Sequence, residues 1–213
     1  MAGGENPSRA YRSTLRERQA RETRRRVVHA AGALFSRHGF QTTTMAAIAR
    51  EAGVSTETVK ATASKAELLV AAFELAFAEA EGEHTLADTP VVEGIAELPA
   101  AAFLPAVLEG IATANARGHA LWTVVLGAAL SDEGVDVALR RILRRRHDDY
   151  ARLVAELAAR GAHVDDPARA AAELSFLLSP EGYQQLVEQS GWTRAQYVSW
   201  LADSVARVIG DTR

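Results

Sequence analysis

Cysteine is absent from the chain, which excludes disulfide frameworks, thiolate zinc sites, iron–sulfur clusters and cysteine nucleophiles. Long apolar runs are missing too. The longest nearly uninterrupted one, Ala120 to Leu130, falls short of the roughly 18 to 20 residues that cross a bilayer, so no membrane partner is expected. The amino terminus carries Glu5, Asn6 and then many arginines, with no apolar stretch. It does not resemble a secretory signal, and a cytoplasmic location is the expectation. Aromatic residues make up 6% of the chain, and 15 glycines and 6 prolines are sparse inside long periodic segments. β-branched alternation is nearly lacking as well. What remains is a 213-residue chain, 48% apolar and 24% charged, with alanine at about one residue in five. That profile fits one or two globular domains of all-α class.

Charge is unevenly divided. The net charge is −3, but up to Lys65 twelve Lys and Arg face five Glu, whereas the remainder holds twelve basic and twenty-two acidic residues. A basic head on an acidic body points to a polyanion as the partner of the head.

Periodicity divides the chain further. From about Leu15 to His38, residues Val27, Ala31, Leu34 and Phe35 form one apolar stripe, and Gly39 supplies a stop. The early turns of this helix carry Arg16, Arg18, Arg21, Arg24, Arg25 and Arg26, and residues 1–13 read as a flexible tail. Thr44 is an N-cap for a short helix to Ala52, closed by Gly53. Ser55 caps a second short helix, Thr56 to about Thr62. Two short helices across a tight glycine-containing turn have the layout of a helix-turn-helix. Ser64 and Glu67 satisfy a capping box that opens a connecting helix to about His84. Thr85 to Pro99 reads as a loop with room for one helical turn. Further helices are expected near Ala100–Ala116, His119–Leu130, Asp136–Arg160, Pro167–Leu178, Pro180–Gln189 and Arg194–Ile209. Asp166-Pro167 and the capping box Thr193 to Gln196 mark two of the boundaries. The domains are then 14–69 for the head and 70–213 for the body.

The segment TTTMAAIAREAGVSTETVKATASKAELL, residues 42–69, resembles the DNA-binding region of the tetracycline-repressor (TetR) family of bacterial regulators. The matching positions begin at Ala30-Ala31, Leu34-Phe35 and Gly39-Phe40. They continue through Thr43-Thr44, Ile48-Ala49, Ala52-Gly53-Val54-Ser55, Thr58-Val59, Ser64-Lys65 and Leu68-Leu69. The resemblance covers about a fifth of the chain. It departs from the family pattern at Lys60, where tyrosine is usual, at Ala63, where phenylalanine is usual, and in having one residue fewer between Thr58 and Ser64.

The residues support the same reading physically. Helix N-termini at Thr44 and Ser55 present backbone N–H groups and the positive dipole end to phosphates, and Lys65 adds a point charge. A helix starting at Thr56 enters a major groove by its first turns. Thr56, Glu57 and Lys60 are the candidates for base edges, with Thr58 and Thr62 at the margins. Glu57 suits cytosine N4, and Lys60 suits guanine O6 or N7.

The resemblance implies a homodimeric regulator, most simply a repressor. Its helical body would bind a small-molecule effector and move two heads on a double-stranded, near-palindromic DNA operator. Pocket candidates are the bulky or polar groups Phe103, His119, Trp122, His147, Tyr150 and Phe176. For the dimer interface the last helices offer Leu174, Leu177, Leu178, Leu201, Val205 and Val208, each of which fits an intramolecular core equally well. The arginine-rich run Arg140 to Arg146 is matched by Asp136, Asp148 and Asp149 at i,i+4 and reads as a solvated face. No catalytic residue, metal site or cofactor is expected. Glu81-Gly82-Glu83-His84 has the spacing of a di-iron ligand pair, but no second copy exists. The competing reading is a helical ligand-binding or interaction protein whose head no longer reads an operator, motivated by Lys60, Ala63 and the shortened spacing.

Overall fold

The computed structural model describes residues 7–79, 81 and 94–210, and among these the regular structure is helical with no strand. Helix α1 (Pro7–Thr42) is broken at Gly39, whose φ of 77° and ψ of 175° suit only glycine. It starts earlier than periodicity indicates, with proline at its first position, so residues 7–13 are helical rather than tail. The expected stop at Gly39 is a kink. Thr43 Oγ1 donates to the Gly39 carbonyl at 2.8 Å, which satisfies the acceptor that the kink frees.

Local capping chemistry sets the next three helices. They are α2 (Met45–Ala52), α3 (Thr56–Thr62) and α4 (Lys65–Ala78), with N-caps Thr44, Ser55 and Ser64 as expected. Gly53 closes α2 in the left-handed conformation. Helix α4 ends at a left-handed Glu79, short of the expected end at His84, which lies outside the described residues.

The body opens with a 3-10 turn, Ile95–Glu97. Helix α5 (Ala100–Ala129) is one continuous element where two were expected, because Gly118 stays helical. Next come α6 (Glu133–Ala159), α7 (Pro167–Leu177), and α8 (Pro180–Tyr183), which runs on as a π-helical turn, Gln184–Gln189. Helix α9 (Arg194–Ile209) closes the described fold.

Two hydrophobic clusters result. The first joins Val27, Leu34, Phe35, Ile48, Val59, Leu68 and Leu69 of the head to Trp122, Val125, Val135 and Ile142 of the body. The second holds Phe103, Leu108, Ile111, Tyr150, Val154, Leu174, Leu178, Tyr197, Leu201 and Val205. The head core therefore crosses the boundary expected after residue 69. Helix α4 lies against α1, α5 and α6, and every residue from Leu68 to Glu74 is buried. No described helix is long and apolar enough to cross a membrane.

Gly118 permits the closest of these approaches. A Cβ there would stand 3.0 Å from Phe77 Cδ2, 3.2 Å from its Cβ and 3.4 Å from its Cα. The last two atoms cannot swing away. Gly118→Ala gains about 1 kcal/mol of helix propensity but incurs about 1–3 kcal/mol of overpacking. The expected outcome in thermal unfolding is a net loss. Gly127→Ala, on the same helix with nothing within 4 Å of the new Cβ, gains stability by up to about 1 kcal/mol. Equal signs for the two variants would contradict this packing.

Candidate nucleic-acid interface

The head places the expected residues on one helix-turn-helix unit. Thr44 Oγ1 accepts from Ala47 N at 3.1 Å, and Ser55 Oγ accepts from Thr58 N at 3.0 Å. Val59 is fully buried and anchors α3 against the head core. Its neighbours Glu57, Lys60 and Ala61 are exposed, and Thr56 is half-buried. Thr58 and Thr62 are engaged within the helix: Thr58 Oγ1 shares a 3.0 Å hydrogen bond with Ser55 Oγ, and Thr62 Oγ1 donates to the Thr58 carbonyl at 2.8 Å. The outer face of α3 therefore offers a carboxylate and an ammonium, three residues apart.

Helix α3 is seven residues long and Ala63 leaves it in extended conformation. A polar clamp serves where the resemblance calls for an aromatic ring. Arg24 Nη1 donates to the Thr62 carbonyl at 3.4 Å, and its Nε donates to Glu81 Oε2 at 2.9 Å. Arg24 is thus committed to structure, while Arg16, Arg18, Arg21, Arg25 and Arg26 stay exposed on α1. Lys65 is half-buried. Its Nζ donates to the Gln41 carbonyl at 3.4 Å and sits 4.4 Å from the Phe40 ring centroid. Burial lowers its pKa against the opposing pull of Asp132.

The other expected site residues separate in space. Trp122 and Tyr150 are buried, and His119 is half-buried with its ring 5.4 Å from that of Tyr183. Phe103 is buried elsewhere, under Arg160 at 4.0 Å, roughly 28 Å along α5 from Trp122 at 1.5 Å per residue. His147 is exposed and Phe176 is 76% exposed, so neither enters the body. Both are corrections to the pocket set, because periodicity does not say which aromatic is covered. The dimer set is corrected as well. Leu174, Leu178, Leu201 and Val205 are fully covered within their own chain and offer nothing to a second copy. Leu177 and Val208 remain half-buried.

Polar groups that the sequence did not single out lie beside Trp122. Asn115 is fully buried on the same face of α5, and Arg146 of α6 has its guanidinium carbon 5.8 Å from the Trp122 ring centroid. Burial pushes the Tyr197 hydroxyl up to about 12 and raises that of Tyr150 too, so both are neutral at physiological pH. A polar residue inside an apolar stripe, Asn115 among Leu108, Ile111, Ala112 and Trp122, was the available signal.

The capping box that starts α4 yields a test. Glu67 Oε2 accepts from Ser64 N at 2.7 Å, and Ser64 Oγ accepts from Glu67 N at 3.2 Å. The Ser64 backbone bond, above all, holds the Glu67 carboxyl below its ordinary pKa. A depressed carboxyl contributes stability above its unfolded pKa and loses it as pH falls through the folded value. Ser64→Ala should cost about 1 kcal/mol. The deficit of Glu67→Ala relative to wild type should be full at neutral pH and shrink on acidification below the ordinary carboxyl pKa. A deficit independent of pH in chemical denaturation would contradict the cap.

Comparison with known proteins agrees with this geometry. A proposed transcriptional regulator from Pseudomonas aeruginosa PAO1 superposes with a TM-score of 0.67 at 22% identity over 86% of this chain and 88% of its own. Another from Saccharomonospora viridis, solved with choline, gives 0.67 at 21% over 88% and 97%. NalD, the secondary repressor of the MexAB-OprM multidrug efflux pump in Pseudomonas aeruginosa, gives 0.64 at 18% over 92% and 100%. At these identities the likeness is one of fold. No protein of curated function matches the sequence. Residues 27–72 match the family model for bacterial regulatory proteins of the tetR family, and this match identifies the head as a helix-turn-helix of the tetR type.

Proposed function

We propose that this regulator is a repressor that binds a near-palindromic operator as a homodimer and leaves it when a small molecule enters its body. The observation that carries the reading is the division of α3, with Val59 buried in the head core and Glu57 and Lys60 exposed on the opposite side. In this reading Lys60 donates to guanine, Glu57 accepts from cytosine N4, and Thr56 touches the same bases, with Thr58 and Thr62 at the edge. The N-termini capped by Thr44 and Ser55, together with Lys65 and the exposed arginines of α1, hold phosphates.

For the homodimer, α7 and α9 pack side by side and carry Ala168, Ala172 and Phe176, and Ala195, Ser199, Ala202 and Ala206, on their exposed sides. Helices bearing small residues approach closely, and a 76% exposed phenylalanine gains burial when a second copy covers it. Leu177 and Val208 border this surface. Two-fold symmetry then sets half-sites about 34 Å apart or at a multiple of one turn. Effector response is supported by the choline bound to the Saccharomonospora viridis relative, and repression by the description of NalD as a repressor.

Retention of fragmented genomic DNA at about 150 mM salt tests the first step. The expected result is a few palindromic sites, and Lys60→Ala should weaken them by about 1–3 kcal/mol while leaving non-specific binding nearly unchanged. Uniform retention of all fragments would favour the head that no longer reads sequence. Phe176→Arg should sediment as a monomer and lose operator binding, and a dimer undiminished by that change would place the interface elsewhere.

A further inference from the structure

We infer that the body binds a small hydroxylated aromatic carboxylate, held along one face of α5 by Trp122, Arg146 and Asn115. This rests on the effector-responsive reading above and names the chemistry of the effector.

Asn115, His119 and Trp122 occur at i, i+4 and i+7 on α5, which stacks them on one face over two turns. Each has a buried polar atom with no hydrogen-bond partner: Asn115 Oδ1, His119 Nδ1 and Trp122 Nε1, joined on α6 by Arg146 Nη1. Buried polar groups in proteins are nearly always paired, to protein, water or ligand, so four such atoms close together make this face the place to look for a bound molecule.

The sign of three of these four groups is fixed. Asn115 Nδ2 donates to the Leu178 and Ser179 carbonyls at 3.2 and 3.3 Å and to the Tyr197 hydroxyl at 3.3 Å. Turning the amide over would set its oxygen against two carbonyls, so Oδ1 faces away and requires a donor. Indole Nε1 and guanidinium nitrogens only donate, so Trp122 and Arg146 require an acceptor.

Arg146 further favours a negative one. Its hydrogen bonds go to neutral groups, with Nε donating to Ser175 Oγ at 3.0 Å and Nη2 to the Ser175 carbonyl at 2.9 Å. Its ion pair with the Glu181 carboxylate is long, 3.8 Å from Nη1, and Glu181 is about half exposed, so the charge is only partly offset and no hydrogen bond is made. The neutral tyrosines beside it supply no counter-charge. A mostly covered guanidinium in this setting selects an anion and repels a cation.

The shape follows from the walls. The His119 and Tyr183 rings are tilted by 37° with centroids 5.4 Å apart, and Tyr197 meets Tyr183 edge-on at 5.2 Å. Such surfaces accept a flat ring. Trp122 and Asn115 are about 10 Å apart along the helix axis, which suits a carboxylate at one end of a benzene ring and a hydroxyl at the other. Trp122 also packs on Phe73 of α4 at 5.2 Å, so the ligand's anionic end adjoins the helix that carries the head.

The test uses the full-length dimer with 15N-labelled tryptophan, whose three indole signals are assigned by Trp122→Phe. Titration with 4-hydroxybenzoate should shift the Trp122 signal saturably. 4-Hydroxybenzamide and choline should bind at least tenfold more weakly, benzoate at least fivefold more weakly, and Arg146→Gln should lower affinity for the acid at least tenfold. Because the ligand series uses the unaltered protein, the result does not depend on that variant folding. Equal affinity for acid and amide overturns the inference. So does the lack of a saturable shift with both 4-hydroxybenzoate and 4-hydroxyphenylacetate, which would leave the buried groups to water alone. Operator retention with each compound separates the two readings. Release by choline but not by the acids keeps effector response and removes the carboxylate. Binding of the acid at Trp122 without release of operator keeps the site and removes effector response.

Discussion

Helix α4 occupies a space that leaves no room for side chains on two of its neighbours. A Cβ at Gly32 of α1 would stand 3.2 Å from Ala72 Cβ, and one at Gly118 of α5 would stand 3.0 Å from Phe77. Between these contacts α4 is buried all round from Leu68 to Glu74. Even the carboxylate of Glu74 is covered, with Oε1 accepting from Arg145 of α6 at 2.9 Å. A helix packed to this density moves only together with what surrounds it. The head is therefore not a bead on a linker: its core and the near ends of α5 and α6 form one cluster, and a displacement of either is felt by the other.

Trp122 stands where that cluster meets the second one. It belongs to the head-side core, touches Phe73 of α4 and lies under Arg146, while Asn115, two turns away on the same helix, is tied to the turn between α7 and α8 and to α9 through Leu178, Ser179 and Tyr197. Under the proposed mechanism a ligand spanning the two residues bridges the core that positions the heads and the helices that carry the dimer surface. Differential affinity for two arrangements of these clusters is all that release of the operator needs.

What was legible in the sequence was local. Thr44, Ser55, Ser64, Asp166 and Thr193 each cap a helix with their own side chain, and a cap is decided within four residues of chain. The head could be read because its signature is a series of such short-range choices. The continuity of α5 could not, since the reason for Gly118 is Phe77, on a different helix. Leucine periodicity on α7 and α9 correctly marks an apolar face but not its cover. Leu174, Leu178, Leu201 and Val205 turn into their own chain, and the exposed positions hold alanine, serine and Phe176 among charged and polar residues such as Arg169, Asp203 and Arg207. Arg146 was hidden for a related reason. Its neighbours Arg140 and Arg145 pair with Asp136 and Glu74, so the run looks uniformly solvated, and only tertiary structure separates the one arginine that lies over an indole.

The shortened recognition helix ties these themes together. With alanine at position 63, α3 lacks a ring to wedge its C-terminal end. That end is held instead by Arg24, which spans from the Thr62 carbonyl to the Glu81 carboxylate just beyond α4. A buried ring would fix α3 by packing alone, insensitive to what lies past α4. A guanidinium bridge with both partners partly exposed is weaker and is screened by salt. It also makes the tilt of α3 depend on where the chain leaving α4 is placed. Packing on α4 and the charged clamp at its exit thus act on the same recognition helix, so the substitution that weakens the anchoring of α3 also connects it more directly to the body.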